Sequence, residues 1–157
     1  MSKERIQKIL AQNGYSSRRK VESLIKEGRV FINDIPAKLG DKISSEDKVY
    51  IDGKLINILE RISSELLMYN KPVGEECSHA SLKKNIFENL PKPKSGKWIS
   101  IGRLDINTSG LLLITNDGKL ANEIIHPSNE IEREYIARVR GKPSDSNLKK
   151  LMSGITI

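Results

Sequence analysis

Cysteine is almost absent from this sequence: Cys77 is the only one in 157 residues. No disulfide can form within the chain, and the structural zinc patterns, which need several cysteine and histidine ligands, are excluded. Histidine is nearly as scarce. His79 lies close to Cys77, but the two do not complete a ligand set, so no metal is expected; His126, before Pro127, reads as the end of a helix. No run approaches the ~20 apolar residues that a membrane span requires. The opening MSKERIQKIL has no apolar core of the kind a secretion signal carries. A cytoplasmic protein with a free thiol and no membrane partner is expected. Internal repeats and low-complexity tracts are also missing.

What is present is charge. Charged residues make up 30% of the chain and hydrophobic residues 37%, a polar composition whose apolar positions are too regular for a disordered chain. The formal charge of +7 and a pI near 9.5 suit an anionic partner, because lysines and arginines along a phosphate backbone gain affinity by releasing condensed counterions. Charge alone leaves nucleic-acid binding and simple solubility both open.

The hydrophobic period divides the chain. Ile6, Ile9 and Leu10 predict a helix over residues 2 to 13, with Ser2 as N-cap and Gly14 as stop. Val21, Leu24 and Ile25 predict a second, capped by Ser16 or Ser17 and ended by Gly28. The period then changes to two. Val30 and Ile32 precede an Asn33-Asp34 turn, and Val49 and Ile51 precede Asp52-Gly53, which is hairpin chemistry. A unit of about 55 residues has little core of its own and is expected to lean on a neighbour or a ligand.

A boundary is placed near residue 62, giving domains 1–61 and 62–157. Beyond it, Leu66 to Tyr69 predict a strand ending at Lys71-Pro72. Strands are also predicted over Leu111 to Thr115 and Tyr135 to Val139. Helices are predicted from about Lys119 to Ile125, and from Asp145 to Met152 with Ser144 as cap. Pro91 to Gly96 reads as a basic loop. The fold class is α+β.

The first cluster that carries chemistry is cationic. Arg18, Arg19 and Lys20 open the second predicted helix, Lys26 and Arg29 close it, and Lys3, Arg5 and Lys8 lie on the first. On their own these residues read first as a solvated face. Their order in GYSSRRKVESLIKEGRVFINDIPAK (14–38) resembles the S-four-like RNA-binding module, with the match covering roughly residues 3 to 57. The resemblance implies a small ααβ-type domain that recognises structured RNA mainly through shape and phosphate. Its helix pair is implied to bring Ser17 and the arginines to the RNA, with Lys3, Arg5, Arg18, Arg19, Lys20, Lys26 and Arg29 as binding residues.

The second cluster is Gly102-Arg103-Leu104-Asp105-Ile106-Asn107-Thr108-Ser109-Gly110, directly before the most apolar run in the chain. Asp105, between Leu104 and Ile106 and near Arg103, is expected in a partly apolar place, which suits a carboxylate that must act while ionised. On spacing alone the plainer reading is a turn stabilised by an Arg103–Asp105 pair. GRLDINTSGLLLITNDG (102–118), however, closely resembles the catalytic motif of the RNA pseudouridine synthases, in the branch that carries an S-four-like domain at its N-terminus. KPVGEEC (71–77) and ANEIIHPSNEIEREYIARVRG (121–141) are most similar to members that modify large-subunit ribosomal RNA.

That resemblance implies isomerisation of a uridine in ribosomal RNA to pseudouridine, without cofactor or metal. Asp105 would be the essential carboxylate that takes part in breaking the glycosidic bond. The base must leave its stack, with Arg103 near the vacated position, Tyr135 packing against the flipped uracil, and Asn107 and Thr108 shaping the loop. Lys71 and Arg133 are read as backbone-phosphate contacts or as exposed cations, and without the motif Tyr135, at the start of an alternating strand, reads first as a core residue. The resemblance also implies a mixed-sheet catalytic domain continuing past Ile157, so the chain is expected to be C-terminally truncated. Two functions stay open: the enzyme, and a non-catalytic binder of structured RNA.

Overall fold

The computed structural model describes residues 3–59, 63–81 and 83–156. The chain opens with a short strand, β1 (Glu4–Arg5), followed by α1 (Ile6–Gln12) and α2 (Arg18–Lys26). Helix α1 starts later than the apolar spacing suggests. Arg5 is extended, with φ −56° and ψ 132°, and β1 pairs antiparallel with β4 (Lys42–Ile43). The entry to the helix is fixed by the Ile6 amide donating to the Asp41 carbonyl at 2.9 Å. A tertiary contact thus replaces a local cap; the expected cap, Ser2, lies outside the described residues. Lys3 and Arg5 therefore precede the helix, and only Lys8 sits on it, ion-paired with Glu4.

For α2 the local signals suffice. Ser17 is the cap, its hydroxyl oxygen accepting the Lys20 amide at 3.2 Å, and Val21, Leu24 and Ile25 form the buried face. Strands β2 (Val30–Ile32), β3 (Ile35–Pro36), β5 (Val49–Ile51) and β6 (Lys54–Ile56) follow. They form an antiparallel sheet in the order β3-β2-β5-β6. Both predicted turns are present. Asn33 and Asp34 have φ of 48° and 69°, and Asp52 and Gly53 have 51° and 73°. Positive φ at both central positions is the turn whose twist matches that of paired strands. Helix faces and sheet meet in one core containing Ile6, Leu10, Val21, Val30, Ile43 and Val49, each fully buried. Each such side chain stabilises by about 1.5–3 kcal/mol relative to an exposed position.

The boundary expected near residue 62 falls outside the described residues. After it come β7 (Leu66–Lys71), β8 (Ile99–Ile101), β9 (Gly110–Thr115), α3 (Gly118–Ile125) and α4 (Asp145–Ser153). The sheet order is β7-β9-β8, and all three strands run antiparallel. Its core contains Ile86, Trp98, Leu112 and Ile114, with Leu67, Tyr69 and Leu104 against them. Asp117 caps α3 by accepting the Lys119 and Leu120 amides, and Ser144 caps α4 as expected. Among the described residues no helix is long and apolar enough to cross a membrane.

One predicted strand does not form. Residues Tyr135 to Val139 have no regular structure, and Tyr135 and Ile136 are 81% and 95% exposed. Alternation makes a segment fit a half-buried pleat, but a strand exists only with a partner, and none of the described strands pairs with this one.

The two units touch where backbone meets backbone. A Cβ on Gly96 would stand 2.5 Å from the Gln12 carbonyl oxygen, and one on Gly14 would stand 2.8 Å from that of Gly96. Both residues have positive φ, 78° at Gly14 and 72° at Gly96, so glycine answers a steric and a conformational requirement together. Beside this joint the Leu59 amide donates to Asn13 Oδ1 at 2.7 Å. Buried Asn116 ties the Ser63, Glu65 and Ser95 backbones together. The small N-terminal unit does lean on a neighbour, as its size predicts.

Candidate active site

The Asp105 loop runs from the end of β8 to the start of β9, and its backbone is held from one side. β7 delivers Lys71 opposite Gly110. The alternation of β7 that turns Leu67 and Tyr69 toward the core turns Lys71 inward too, and Lys71 is fully buried. Its ammonium donates to the carbonyls of Pro72 at 3.0 Å, Asp105 at 3.0 Å and Thr108 at 2.7 Å. A lysine ammonium has three donors and no acceptor, so three carbonyls satisfy it. This corrects the sequence reading of Lys71 as a phosphate contact or exposed cation: the side chain has no surface left to offer RNA.

The clamp extends along the loop. The Asp105 carbonyl also accepts the Thr108 amide at 2.9 Å, closing a four-residue turn, and the Gly74 amide donates to the Ile106 carbonyl at 2.7 Å. Cys77 Sγ donates to the Leu104 carbonyl at 3.4 Å. The carbonyls of residues 104, 105, 106 and 108 are thus engaged by residues 71 to 77, together with the loop's own turn. The side chains of Asp105, Asn107 and Thr108 are left exposed. Asp105 does not occupy the partly apolar place expected of it, because the core takes Leu104 instead. Arg103 is exposed as well, and among the described residues no ion pair joins it to Asp105.

Under the clamp lies a polar network that the sequence did not reveal. Glu75 is 1% exposed and accepts from the Tyr69 hydroxyl at 2.6 Å and from Asn89 at 2.8 Å. Lys84 pairs with it at 3.0 Å. Burial pushes the Glu75 carboxyl up, but the Tyr69 and Lys84 bonds and the charges of Lys84 and Lys71 outweigh it, so the net shift is downward. Burial, then the bond to Glu75, pushes the Tyr69 phenol up. A carboxylate with a depressed folded pKa contributes stability that is complete above its unfolded value, near 4.3, and is lost as pH falls through the folded one. Thermal unfolding followed from about pH 6 to about pH 3 should show a falling midpoint, with a shallower fall in Glu75→Gln. An identical slope in both proteins would remove Glu75 from the acid response.

The cations expected on the N-terminal unit divide into two groups. Arg18, Arg19, Lys20 and Lys26 are exposed and appear in no ion pair among the described residues. Arg29 grips Asp52 through two bonds of 2.6 Å and Glu27 through one of 3.0 Å, and Asp52, then Glu27, raises its pKa further above the ordinary guanidinium value. Two carboxylates offset its charge, so its main visible role is to tie the end of α2 to the sheet. Arg133 is tethered to the Ile125 carbonyl at 3.1 Å. Tyr135 is exposed within the irregular segment after α3. Among the described residues no group of histidine, cysteine, aspartate and glutamate could hold a metal ion.

Comparison with known proteins matches both halves of the chain. A family model described as S4 domain matches residues 4–49, and one described as RNA pseudouridylate synthase matches residues 65–155. Proteins named ribosomal large subunit pseudouridine synthase B are similar over 98% of this chain. They include those of Pseudomonas aeruginosa at 46% identity, Vibrio vulnificus at 45% and Escherichia coli K12 at 44%. The chain spans 41%, 50% and 55% of their respective lengths, about half of the curated relatives it matches. With the second model spanning more than half of its residues, this chain belongs to the RNA pseudouridylate synthase family and carries an S4 domain ahead of the synthase segment.

Proposed function

We propose that this chain converts a specific uridine of ribosomal RNA, in the large subunit, to pseudouridine in the cytoplasm, with Asp105 as the catalytic carboxylate. The reaction is an isomerisation. The bond from the sugar C1′ to a ring nitrogen breaks, a bond from C1′ to a ring carbon forms, and that carbon's proton is replaced by one on the nitrogen. Atoms and electrons balance without a co-substrate. The observation that carries this reading is the clamped loop, whose backbone is fixed from the protein side while the Asp105 carboxylate is open to a large substrate. A base can reach such a group only out of its stack.

In this reading Arg103 stands near the space the base leaves, Asn107 and Thr108 border the flipped nucleotide, and Tyr135 supplies an aromatic face when its segment closes on the RNA. The S4 domain holds structured RNA through Ser17, Arg18, Arg19, Lys20 and Lys26, with Lys3, Arg5 and Arg133 as further phosphate contacts. One observation favours a second reading, RNA binding without chemistry: the 81% exposure of Tyr135, which leaves the Asp105 loop without that wall. Pseudouridine formation in unmodified large-subunit ribosomal RNA, measured with this chain and with Asp105→Asn, separates the two. Conversion that the substitution removes establishes the enzyme, and retention of RNA by both proteins without conversion establishes the binder.

Phosphate contact by α2 has its own test. Each phosphate neutralised adds about 0.7–0.9 to the slope of log affinity against log salt. Arg18→Ala with Arg19→Ala should lower that slope by roughly 1.5 in filter binding across a salt series. An unchanged slope would take α2 off the RNA.

A further inference from the structure

Between the start of α2 and the loop that ends at Trp98 lies a cleft of about 680 Å³, within the size range of small-ligand sites. It does not include the Asp105 loop, and it takes Ser17 and Arg18 from the start of α2. Its walls come from both units, which meet at the Gly14–Gly96 joint, so its shape depends on their contact. Arg18 enters from the S4 domain, Lys92 and Lys97 from the synthase segment, and among the described residues no carboxylate lines it. Lys97 also donates to the Tyr15 carbonyl at 3.3 Å, bridging the two walls.

Opposite Ser16 and Ser17, the lining carries the rings of His79, Phe87, Pro91, Pro93 and Trp98. His79 and Phe87 stack on each other with ring centroids 3.6 Å apart and planes 11° from parallel. His79 Nε2 donates to the Trp98 carbonyl at 2.8 Å, and the Trp98 indole donates to the Pro91 carbonyl at 2.6 Å. These bonds orient the rings before any ligand arrives. Three cations beside a fixed aromatic and proline wall match an anion joined to a planar ring. Duplex RNA offers phosphates but hides its base faces, whereas an unpaired nucleotide offers both.

We propose that this cleft holds an unpaired nucleotide of the bound RNA, with its phosphate on Arg18, Lys92 and Lys97 and its base against the His79–Phe87 stack. The assignment rests on the reading of the protein as RNA-binding and adds a contact outside the reacting site. A nucleotide gripped by both units would set the position of the RNA along the path from the S4 domain to the Asp105 loop.

Trp98 is the only tryptophan in the chain, so its emission reports on the cleft directly. Titration with an oligouridylate of about eight nucleotides, a length within the site sizes of single-strand binders, should change that emission saturably. Lys92→Glu with Lys97→Glu should weaken the response at least ~10-fold, in the range seen on losing a nucleotide contact. Lys142→Glu with Lys149→Glu, the same charge change outside the cleft lining, should leave it within about twofold, as should Asp105→Asn. The proposal is overturned by a flat titration, by an equal response to inorganic phosphate at the same concentration, or by equal weakening in the two charge-reversal pairs. The Asp105→Asn conversion assay is separate: a flat titration alongside Asp105-dependent conversion sinks only the cleft assignment, and Asp105-independent conversion sinks only the catalytic one.

Discussion

Asp105→Asn is expected to lower pseudouridine formation by at least ~10³-fold, in the range lost when a group acting on the reacting bond is removed, while RNA affinity stays within about twofold. The two expectations have different physical sources. Asparagine has the size of aspartate and can keep the turn in which the residue-105 carbonyl accepts the Thr108 amide and the Lys71 ammonium, since both bonds use the backbone. The substitution therefore removes the negative oxygen and leaves the loop in place. Binding should be preserved because a carboxylate makes no favourable contact with phosphate, and losing one negative charge from an exposed position slightly favours a polyanion. Conversion should fail because a neutral amide is a poor nucleophile and a poor base. Single-turnover conversion with protein in excess, beside filter binding at fixed salt, reads both quantities. Parallel losses in the two would mean that Asp105 shapes the RNA interface, and retained conversion would move the chemistry to another residue.

The sequence made the N-terminal unit more legible than the synthase segment, for a physical reason. α2 and the two hairpin turns are decided locally: a serine cap, a three-residue apolar face, and Asn-Asp and Asp-Gly pairs suited to positive φ. α1 is decided partly elsewhere, since its entry depends on a strand pair with Lys42 and Ile43 and on the Asp41 carbonyl. Two-residue strands have no period to read. Tyr135 to Val139 shows the converse, with a clear alternation and no strand to pair with. At the candidate site the motif located Asp105 but not what holds it. The signal for Lys71 was available, since Leu67, Tyr69 and Lys71 share one face of β7 by strict alternation. The identity of a residue before proline said less than its phase. Glu75 and Asn89 gave no such sign, because their network joins residues 14 apart across a loop.

Lys71→Met tests that clamp and should produce the second large effect. Methionine approximates the length and apolar stem of lysine, so the cavity left is small, but the three bonds to Pro72, Asp105 and Thr108 vanish. Two terms oppose each other. Removing a buried charge relieves a desolvation cost of several kcal/mol, while each hydrogen bond from a charged donor contributes about 1.5–3 kcal/mol and each buried carbonyl left unpaired costs about 1–3 kcal/mol. With three charged bonds lost and the Pro72 and Thr108 carbonyls left without that donor, while the Asp105 carbonyl keeps the Thr108 amide, the second term wins, for a net loss of roughly 2–4 kcal/mol and a fall in Tm of roughly 5–15 °C. Conversion should fall at least ~10²-fold, because misplacing a reacting group by about 1 Å is enough for that, while α2 keeps its grip on RNA. Stability alone cannot distinguish a loop clamp from an ordinary core residue, so the deciding measurement is amide exchange at Gly74 and Thr108. Their N–H groups donate to the Ile106 and Asp105 carbonyls and report loop closure directly. Exchange that quickens at these two amides, while core amides such as that of Ile114 stay protected, would show the loop released from an otherwise folded domain. Uniform quickening would make Lys71 a general stabiliser, and slow exchange with conversion retained would show that the loop holds Asp105 in place without it.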